Sequence, residues 1–262
     1  MNIDPVLFSL GPIQVRWYGL MYVIGYTLGT QLLKILSRRG FFKIPENKID
    51  SYVFYIIIGM LIGARLAYVF VYNWDYYSLH LVDIFSVWKG GLSFHGAVVG
   101  MSVASWMFAK KNNLHFFHIG DAMALAGTQG LFFGRLGNFI NGELYGRVTD
   151  SPIGIVFANG GPYPRHASQL YEGILEGIVL SAVLWFLLSR VRIYGALSAV
   201  FLLGYGFFRY VVEFFREPDS QLGYYFGGTT TMGQILCLLM MVASIFMYLY
   251  AKKVSLPVSN KK

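Results

Sequence analysis

Residues 134–143, Gly134-Arg135-Leu136-Gly137-Asn138-Phe139-Ile140-Asn141-Gly142-Glu143, put an arginine, two amides and a carboxylate at the end of an apolar run. The 262 residues around them are 56% hydrophobic and 13% charged, against roughly 25% charged in ordinary soluble domains. That composition argues against a soluble enzyme. Runs near the ~20 residues needed to cross a bilayer recur along the chain. No closed-barrel alternation is visible, so backbone hydrogen bonding in lipid calls for helices. A charge or amide at membrane depth is expensive, and its default meaning is a site.

Seven apolar runs, at 17–36, 52–72, 93–109, 119–138, 167–188, 194–214 and 232–251, predict an all-α polytopic membrane protein. All of residues 1–262 then form one integral membrane domain. The fourth run has the weakest hydropathy, with Asp121, Thr128, Gln129, Arg135 and four glycines, Gly120, Gly127, Gly130 and Gly134. It is expected inside the bundle, where small residues let helices approach closely. Met1 to Gln14 holds no basic residue and is followed by no small-residue cleavage site, so no cleavable signal peptide is expected. Cys237 lies within an apolar run and reads as a packed side chain, with no disulfide or thiol metal site.

The net charge of +8 is spread in short clusters between the runs. Membrane lipid headgroups explain that distribution better than nucleic acid. With the N-terminus outside, the inner side receives Lys34, Arg38, Arg39, Lys43, Lys48, Lys110, Lys111, Arg190, Arg192, Lys252, Lys253, Lys261 and Lys262, thirteen of twenty-one basic residues. The bias predicts an outer N-terminus and a cytoplasmic C-terminus, with His115 and His118 on the inner surface. The outer side keeps Arg16, Lys89, Arg135, Arg147, Arg165, Arg209 and Arg216, while Arg65 falls within the second run.

The connection 139–166 is rich in glycine and proline and contains short strand-like pieces such as Ile153 to Phe157. Its apolar content opposes disorder, so a small extracytoplasmic cap between the fourth and fifth helices is expected. Residues 73–92 form a second outer segment, in which Asp75, Tyr76, Tyr77 and Trp88 suit the interface. No internal repeat supports a transporter built from two homologous halves.

Arg135 lies in the outer part of the fourth run. In the sixth, Arg209, Glu213 and Arg216 are spaced to stack on one helix face. Two basic faces at one depth make a clamp for phosphate, because the arginine fork bonds in bidentate fashion. The competing reading is structural: Arg209 with Glu213, and Arg135 with Glu143, as ion pairs locking helices. His95, in Lys89-Gly90-Gly91-Leu92-Ser93-Phe94-His95-Gly96, reads equally as a proton acceptor near neutral pH or as a capping and packing residue.

Glu172 and Glu176, one turn apart, either repel each other or pair with nearby arginines, and pairing is favoured. Arg65 reads equally as structural or ligand-binding, and Tyr18, after Arg16-Trp17, as an interface anchor or a site residue. The histidines lack metal-ligand spacing, and no nucleotide-binding glycine loop with its lysine appears.

Taken together, GRLGNFINGELYG at 134–146, GGLSFHG at 90–96, RWYG at 16–19 and RYVVEFFREPD at 209–219 resemble the motifs of the prolipoprotein diacylglyceryl transferase family, in the expected order. The similarity runs from about Pro12 to Lys253. It implies a bacterial inner-membrane enzyme that moves the diacylglyceryl group of phosphatidylglycerol to the lipobox cysteine thiol of a prolipoprotein signal peptide, releasing glycerol phosphate. It also implies functional weight at Tyr18, His95, Arg135, Asn138, Glu143, Gly146, Arg209, Glu213 and Arg216.

On that resemblance Arg135 and Arg209 would stabilise the departing phosphate. Glu213 and Arg216 would set the clamp, and Asn138 and Glu143 would orient headgroup hydroxyls or the arginines. His95 is the candidate base, with a carboxylate, Tyr18 or the lipid phosphate as alternatives. No cofactor is required, and Cys237 is expected to be dispensable. A site for two lipid-bearing substrates should open sideways to lipid as well as to the outer water. A transporter or channel for an anionic solute would use the same arginines, continued inward by Gln129, Thr128, Asp121 and Arg65; a non-enzymatic lipid- or signal-peptide-binding scaffold is the third reading. Oligomeric state has no signature in the sequence.

Overall fold

The structure, a computed structural model, describes residues 3–11, 13–191, 193–217, 224–225 and 229–254. Pro12, Arg192, Pro218, Asp219, Lys261, Lys262 and the side chain of Lys89 lie outside the described residues. The chain divides into two compact units, one of Lys34–Gly120 and one of Met1–Leu33 with Asp121–Lys262. The boundaries fall within helices α1 (Trp17–Arg38) and α5 (Phe116–Ile140).

In the 34–120 unit, α2 (Glu46–Ala67) continues as one wide π turn to Tyr72, followed by the short α3 (Trp74–Tyr77), two 3-10 turns and α4 (Phe94–Lys111). Two glycine pairs at four-residue spacing face each other across α2 and α4. A Cβ on Gly63 would sit 2.3 Å from the Gly96 carbonyl oxygen, and one on Gly100 would sit 2.0 Å from that of Gly59. The backbones are therefore in direct contact, the arrangement that association in lipid rewards because dispersion and weak polar contacts replace the hydrophobic effect. Ser93 caps α4 by accepting from the Gly96 amide at 3.2 Å. At the opposite end, Lys34 meets Asp50 at 2.7 Å and Arg38 meets Glu46 at 2.5 Å.

The other unit begins with a hairpin that the sequence reading missed, Val6–Leu10 paired with Ile13–Arg16, which leads directly into α1. Its remaining elements are α5, then α6 (Ser168–Glu172), a π segment (Gly173–Val179) and α7 (Leu180–Leu188) in continuous succession, α8 (Ala196–Val212) and α9 (Met232–Val254).

Glycines set the close approaches here too, with a correction. Gly130 of α5 admits α1 as expected, since a Cβ on Gly25 would sit 3.3 Å from the Gly130 Cα, but among the described residues an added Cβ on Gly127, Gly130 or Gly134 itself would meet nothing within 4 Å. Gly177 would press one to 2.7 Å from the Phe132 Cβ, so α5 lies directly on the π segment.

Asp121 is buried and caps the start of α8, accepting from the Gly195 amide at 2.7 Å and from the Ser198 amide and hydroxyl at 2.8 Å. Its negative charge suits the positive end of that helix. Thr231 and Gln234 bond reciprocally at the start of α9, at 3.0 and 3.2 Å, forming a capping box.

Each of the seven apolar runs is helical over most of its length. Glu46–Tyr72, Ser168–Leu188 and Met232–Val254 are long and apolar enough to cross a membrane, with Ala196–Val212 a shorter apolar helix. Their outward faces carry Phe54, Ile62, Phe70, Ile178, Phe186, Leu239 and Phe246, all exposed. Large apolar side chains at this density on helix exteriors need lipid as their solvent.

The connection after α5 is ordered by backbone pairing without regular strands. Isolated bridges join Val148 and Ile155 to Arg165, and Gly146 to Arg216. Within the expected strand-like piece Ile153 to Phe157, Ile155 makes a single bridge.

Candidate active site

Helix α5 presents Arg135 and Asn138 three residues apart, hence on one face. The chain reverses through Gly142, whose φ of +64° belongs to the left-handed region, and brings Glu143 back over the helix end. The Glu143 amide donates to the Asn138 carbonyl at 3.1 Å, and the Asn138 side-chain amide donates to Glu143 Oε1 at 2.8 Å. Gln169, fully buried, donates to the Glu143 carbonyl at 2.6 Å.

The direct ion pair of Arg135 with Glu143 posed by the competing structural reading is not found among the described residues. Arg135 reaches the Asn138 oxygen at 3.5 Å, so its link to Glu143 runs through an amide. Tyr18, in the first turn of α1, bonds the Tyr22 hydroxyl at 3.0 Å and also engages Asn138. Its ring lies against Gly137, where a Cβ would meet it at 2.9 Å.

The centre of the constellation is Glu172, at the end of α6. Arg135 Nη2 lies 2.5 Å from its Oε2, while Arg209 Nη1 and Arg216 Nη1 lie 3.2 and 3.4 Å from its Oε1. The carboxylate is 1% exposed, the three arginine side chains 13 to 20%. The anion is thus at the floor and the cations are at the accessible side. Three guanidiniums surround Glu172 at that depth, and a buried carboxylate stripped of all its partners would cost about 3–5 kcal/mol. Pairing with arginines was expected for Glu172 and Glu176 alike. Glu172 satisfies the expectation, whereas among the described residues neither carboxyl oxygen of Glu176 has a hydrogen-bond partner.

Glu213 follows the last residue of α8. Its Oε2 pairs with Arg209 Nη2 at 2.9 Å, and its Oε1 accepts from the Thr231 hydroxyl at 3.0 Å, tying α8 to the start of α9. The i,i+4 pair was legible from spacing; Thr231 was not. The helix stops at Val212, yet the Arg216 amide still donates to the Val212 carbonyl at 3.1 Å, so Arg216 keeps to the expected face. The Arg216 backbone also bridges Gly146. Any side chain at 146 would sit 2.3 Å from the Phe215 carbonyl oxygen and 2.9 Å from the His166 Cβ.

Tyr18, Arg135, Asn138, Glu143, Gly146, Arg209, Glu213 and Arg216 therefore fall into one connected network in one unit. His95 belongs to the other unit, where it is exposed at the start of α4 with the Tyr72 hydroxyl 3.3 Å from its Nδ1.

The remaining arginines behave differently. Arg65 donates to the carbonyls of Ile84, Gly90, Gly91, Asp83 and Ser86. Arg147 donates to the carbonyls of Arg216 and Glu213. Arg165 donates to those of Gly160 and Gly146, and also to the Glu217 carboxylate. These three chiefly hold main chain. The polar residues that could have continued a pathway inward are also engaged locally: Asp121 in capping α8, Thr128 with the Leu125 carbonyl at 2.8 Å, and Gln129 with Thr128 and Ser181 at 3.4 Å. Cys237 is buried, 2% exposed.

Arginine forks converging over a buried carboxylate suit a phosphate ester, whose oxygens can share the donors that Glu172 positions. Comparison with known proteins agrees in sequence. The family profile described as prolipoprotein diacylglyceryl transferase matches residues 5–250. The phosphatidylglycerol–prolipoprotein diacylglyceryl transferase of Nitratidesulfovibrio vulgaris (strain DP4) is 46% identical over 246 residues, covering 94% of each chain. That of Vibrio cholerae serotype O1 is 46% identical over 252 residues, 96% of this chain and 93% of the relative. That of Vibrio campbellii is 47% identical over 252 residues, 96% of this chain and 92% of the relative. The chain belongs to the prolipoprotein diacylglyceryl transferase family.

Proposed function

We propose that this membrane protein transfers the diacylglyceryl group of phosphatidylglycerol to the lipobox cysteine of prolipoproteins. The observation that carries the reading is the cluster of Arg135, Arg209 and Arg216, part-exposed above the buried Glu172 carboxylate, in a chain of this family.

In the reaction the cysteine S–H loses its proton and sulfur attacks the glycerol carbon bonded to phosphate. A C–S bond forms, the C–O bond breaks, and glycerol phosphate departs with the bonding electrons. Negative charge grows on the leaving phosphate, where Arg135 and Arg209 act, and donors fixed in advance stabilise it without reorganising. Arg216 and Glu213 set the width of the clamp. Asn138, Glu143 and Tyr18 offer hydroxyl-binding groups beside it for the glycerol headgroup, and Gly146 keeps the backbone close. His95 is the candidate proton acceptor on the strength of its chemistry and exposure. Substantial activity in His95→Gln would remove that role.

Seven transmembrane helices with an outer N-terminus and a cytoplasmic C-terminus accord with the charge bias. The 139–166 connection then forms a cap on the outer side, where signal peptides and outer-leaflet phosphatidylglycerol meet. The test is direct. Purified protein supplied with phosphatidylglycerol vesicles and a lipobox peptide should yield thioether-linked diacylglyceryl peptide and free glycerol phosphate. Folded protein that produces neither would overturn the assignment.

A further inference from the structure

Glu176 has no place in the chemistry above, and its surroundings are unusual. It is 0% exposed, and neither carboxyl oxygen has a hydrogen-bond partner among the described residues. It lies inside the π segment Gly173–Val179, whose wide turn brings it round to the side of Glu172. Gly173 and Gly177 flank it and let Arg135 and Phe132 of α5 close directly over the segment, a Cβ at 177 meeting Phe132 at 2.7 Å. Its charged and titratable neighbours are Glu172 on its own span, Arg135 on α5, Arg209 and Tyr205 on α8, Arg216 just beyond it, and Cys237 on α9.

A bare carboxylate with no donor in such a place is strongly disfavoured, whereas the neutral acid loses one or two hydrogen bonds. Glu172 differs because Arg209 and Arg216 donate to its Oε1 and the Arg135 guanidinium lies 2.5 Å from its Oε2. Two neighbouring carboxyl groups of one span are thus split by environment, one ringed by guanidiniums and the other left, among the described residues, without donors.

On the reading of the arginine cluster as a phosphate site, we propose that Glu176 is a positioning residue held as a neutral carboxylic acid, which keeps a second carboxylate charge away from Arg135, Arg209 and Arg216 and so preserves their pull on a phosphodiester. The consequence is directional. Loss of the Glu176 proton at alkaline pH adds a negative charge behind the arginines and weakens phospholipid binding, raising KM on the order of tenfold.

Two readouts test this in the full-length protein in phosphatidylglycerol vesicles. Infrared difference spectra of wild type against Glu176→Gln, taken without peptide substrate, should show a protonated carboxylic acid carbonyl band in wild type alone. KM for phosphatidylglycerol should rise with pH in wild type and stay flat in Glu176→Gln, a split that a packing role would not produce. Absence of the acid band, or the same alkaline rise in both proteins, overturns the proposal. Should Glu176→Gln fail to insert, Glu176→Met, similar in volume and uncharged, serves as the reference. The infrared result needs no turnover. A protein with the acid band but no thioether product would refute the functional reading and leave the Glu176 assignment standing.

Discussion

Arg65 and Arg209 are both arginines on helices that face lipid elsewhere, yet they spend their donors in opposite ways. Arg65 points all its nitrogens at backbone, engaging five carbonyls of the 83–91 segment, and stacks over the Tyr77 ring at 5.1 Å. Its charge is dispersed over neutral dipoles, and it fastens an irregular loop whose carbonyls would otherwise lack partners. Arg209 meets two carboxylates and shares one of them with Arg135 and Arg216. There the cations are gathered in one place with their tips partly accessible. An arginine in a membrane helix is therefore a site residue when its partners are shared anions and its end is reachable, and a structural clamp when its partners are backbone.

The largest expected effect tests the site side of that contrast. Arg135→Ala should insert and accumulate, because Glu172 keeps Arg209 and Arg216, but turnover of phosphatidylglycerol should fall on the order of 10²–10³-fold, the usual loss when one preorganised donor to a developing anion is removed. Arg135→Lys should recover little of it, since an ammonium lacks the planar fork. Turnover per folded molecule close to wild type in Arg135→Ala would make Arg135 another Arg65.

The two halves of this contrast were unequally legible in the sequence. Helix positions were readable because each apolar run is a continuous stretch; the fourth, read as 119–138, is α5 at Phe116–Ile140. The Arg209–Glu213 pair was readable because i,i+4 spacing is local. The role of Glu172 was only half visible, as one of two carboxylates favoured to pair with arginines. Its partners lie 37 residues before and 37 and 44 residues after it, and no spacing rule reaches that far. The split between Glu172 and Glu176 depends on which carboxyl the guanidiniums reach, a property of packing. Arg65 stood evenly between two readings because its partners are carbonyls, which every residue carries. The glycines of α5 were expected to make close contacts, but glycine count does not say which face a neighbour meets, and the tightest approach of the other unit is between α2 and α4.

Gly146→Ala should come next in effect. Its added methyl would lie 2.3 Å from the Phe215 carbonyl oxygen, backbone that cannot yield without displacing the turn carrying Glu213 and Arg216. Activity should fall to a small fraction of wild type even where the protein accumulates. An active Gly146→Ala protein would mean that the bridge between Gly146 and Arg216 has no part in setting the clamp.

Arg65→Ala tests the structural side and should divide the two classes most plainly. Several carbonyls lose a donor at once, and each left buried and unpaired costs about 1–3 kcal/mol. Accumulation in membranes and melting temperature in detergent should drop, while turnover normalised to folded protein should stay within a few-fold of wild type. Normal stability with lost turnover would reverse the assignment and place Arg65 among the site residues.

The smallest effect is expected at Cys237, which sharpens the comparison from outside both arginine classes. In a reaction whose nucleophile is a thiol, a cysteine in the enzyme invites a covalent role. Cys237 is 2% exposed inside α9, and its carbonyl faces Gly206 of α8, where a Cβ would meet it at 3.2 Å. The position belongs to helix packing. Among the described residues the buried sulfur has no open approach for a substrate. Cys237→Ala should therefore cost about 1 kcal/mol of stability or less and leave turnover unchanged, measured as thioether product per folded molecule. Loss of turnover in that variant, with melting temperature preserved, would put a thiol of the enzyme in the reaction path and require a two-step transfer in place of direct attack by the substrate cysteine.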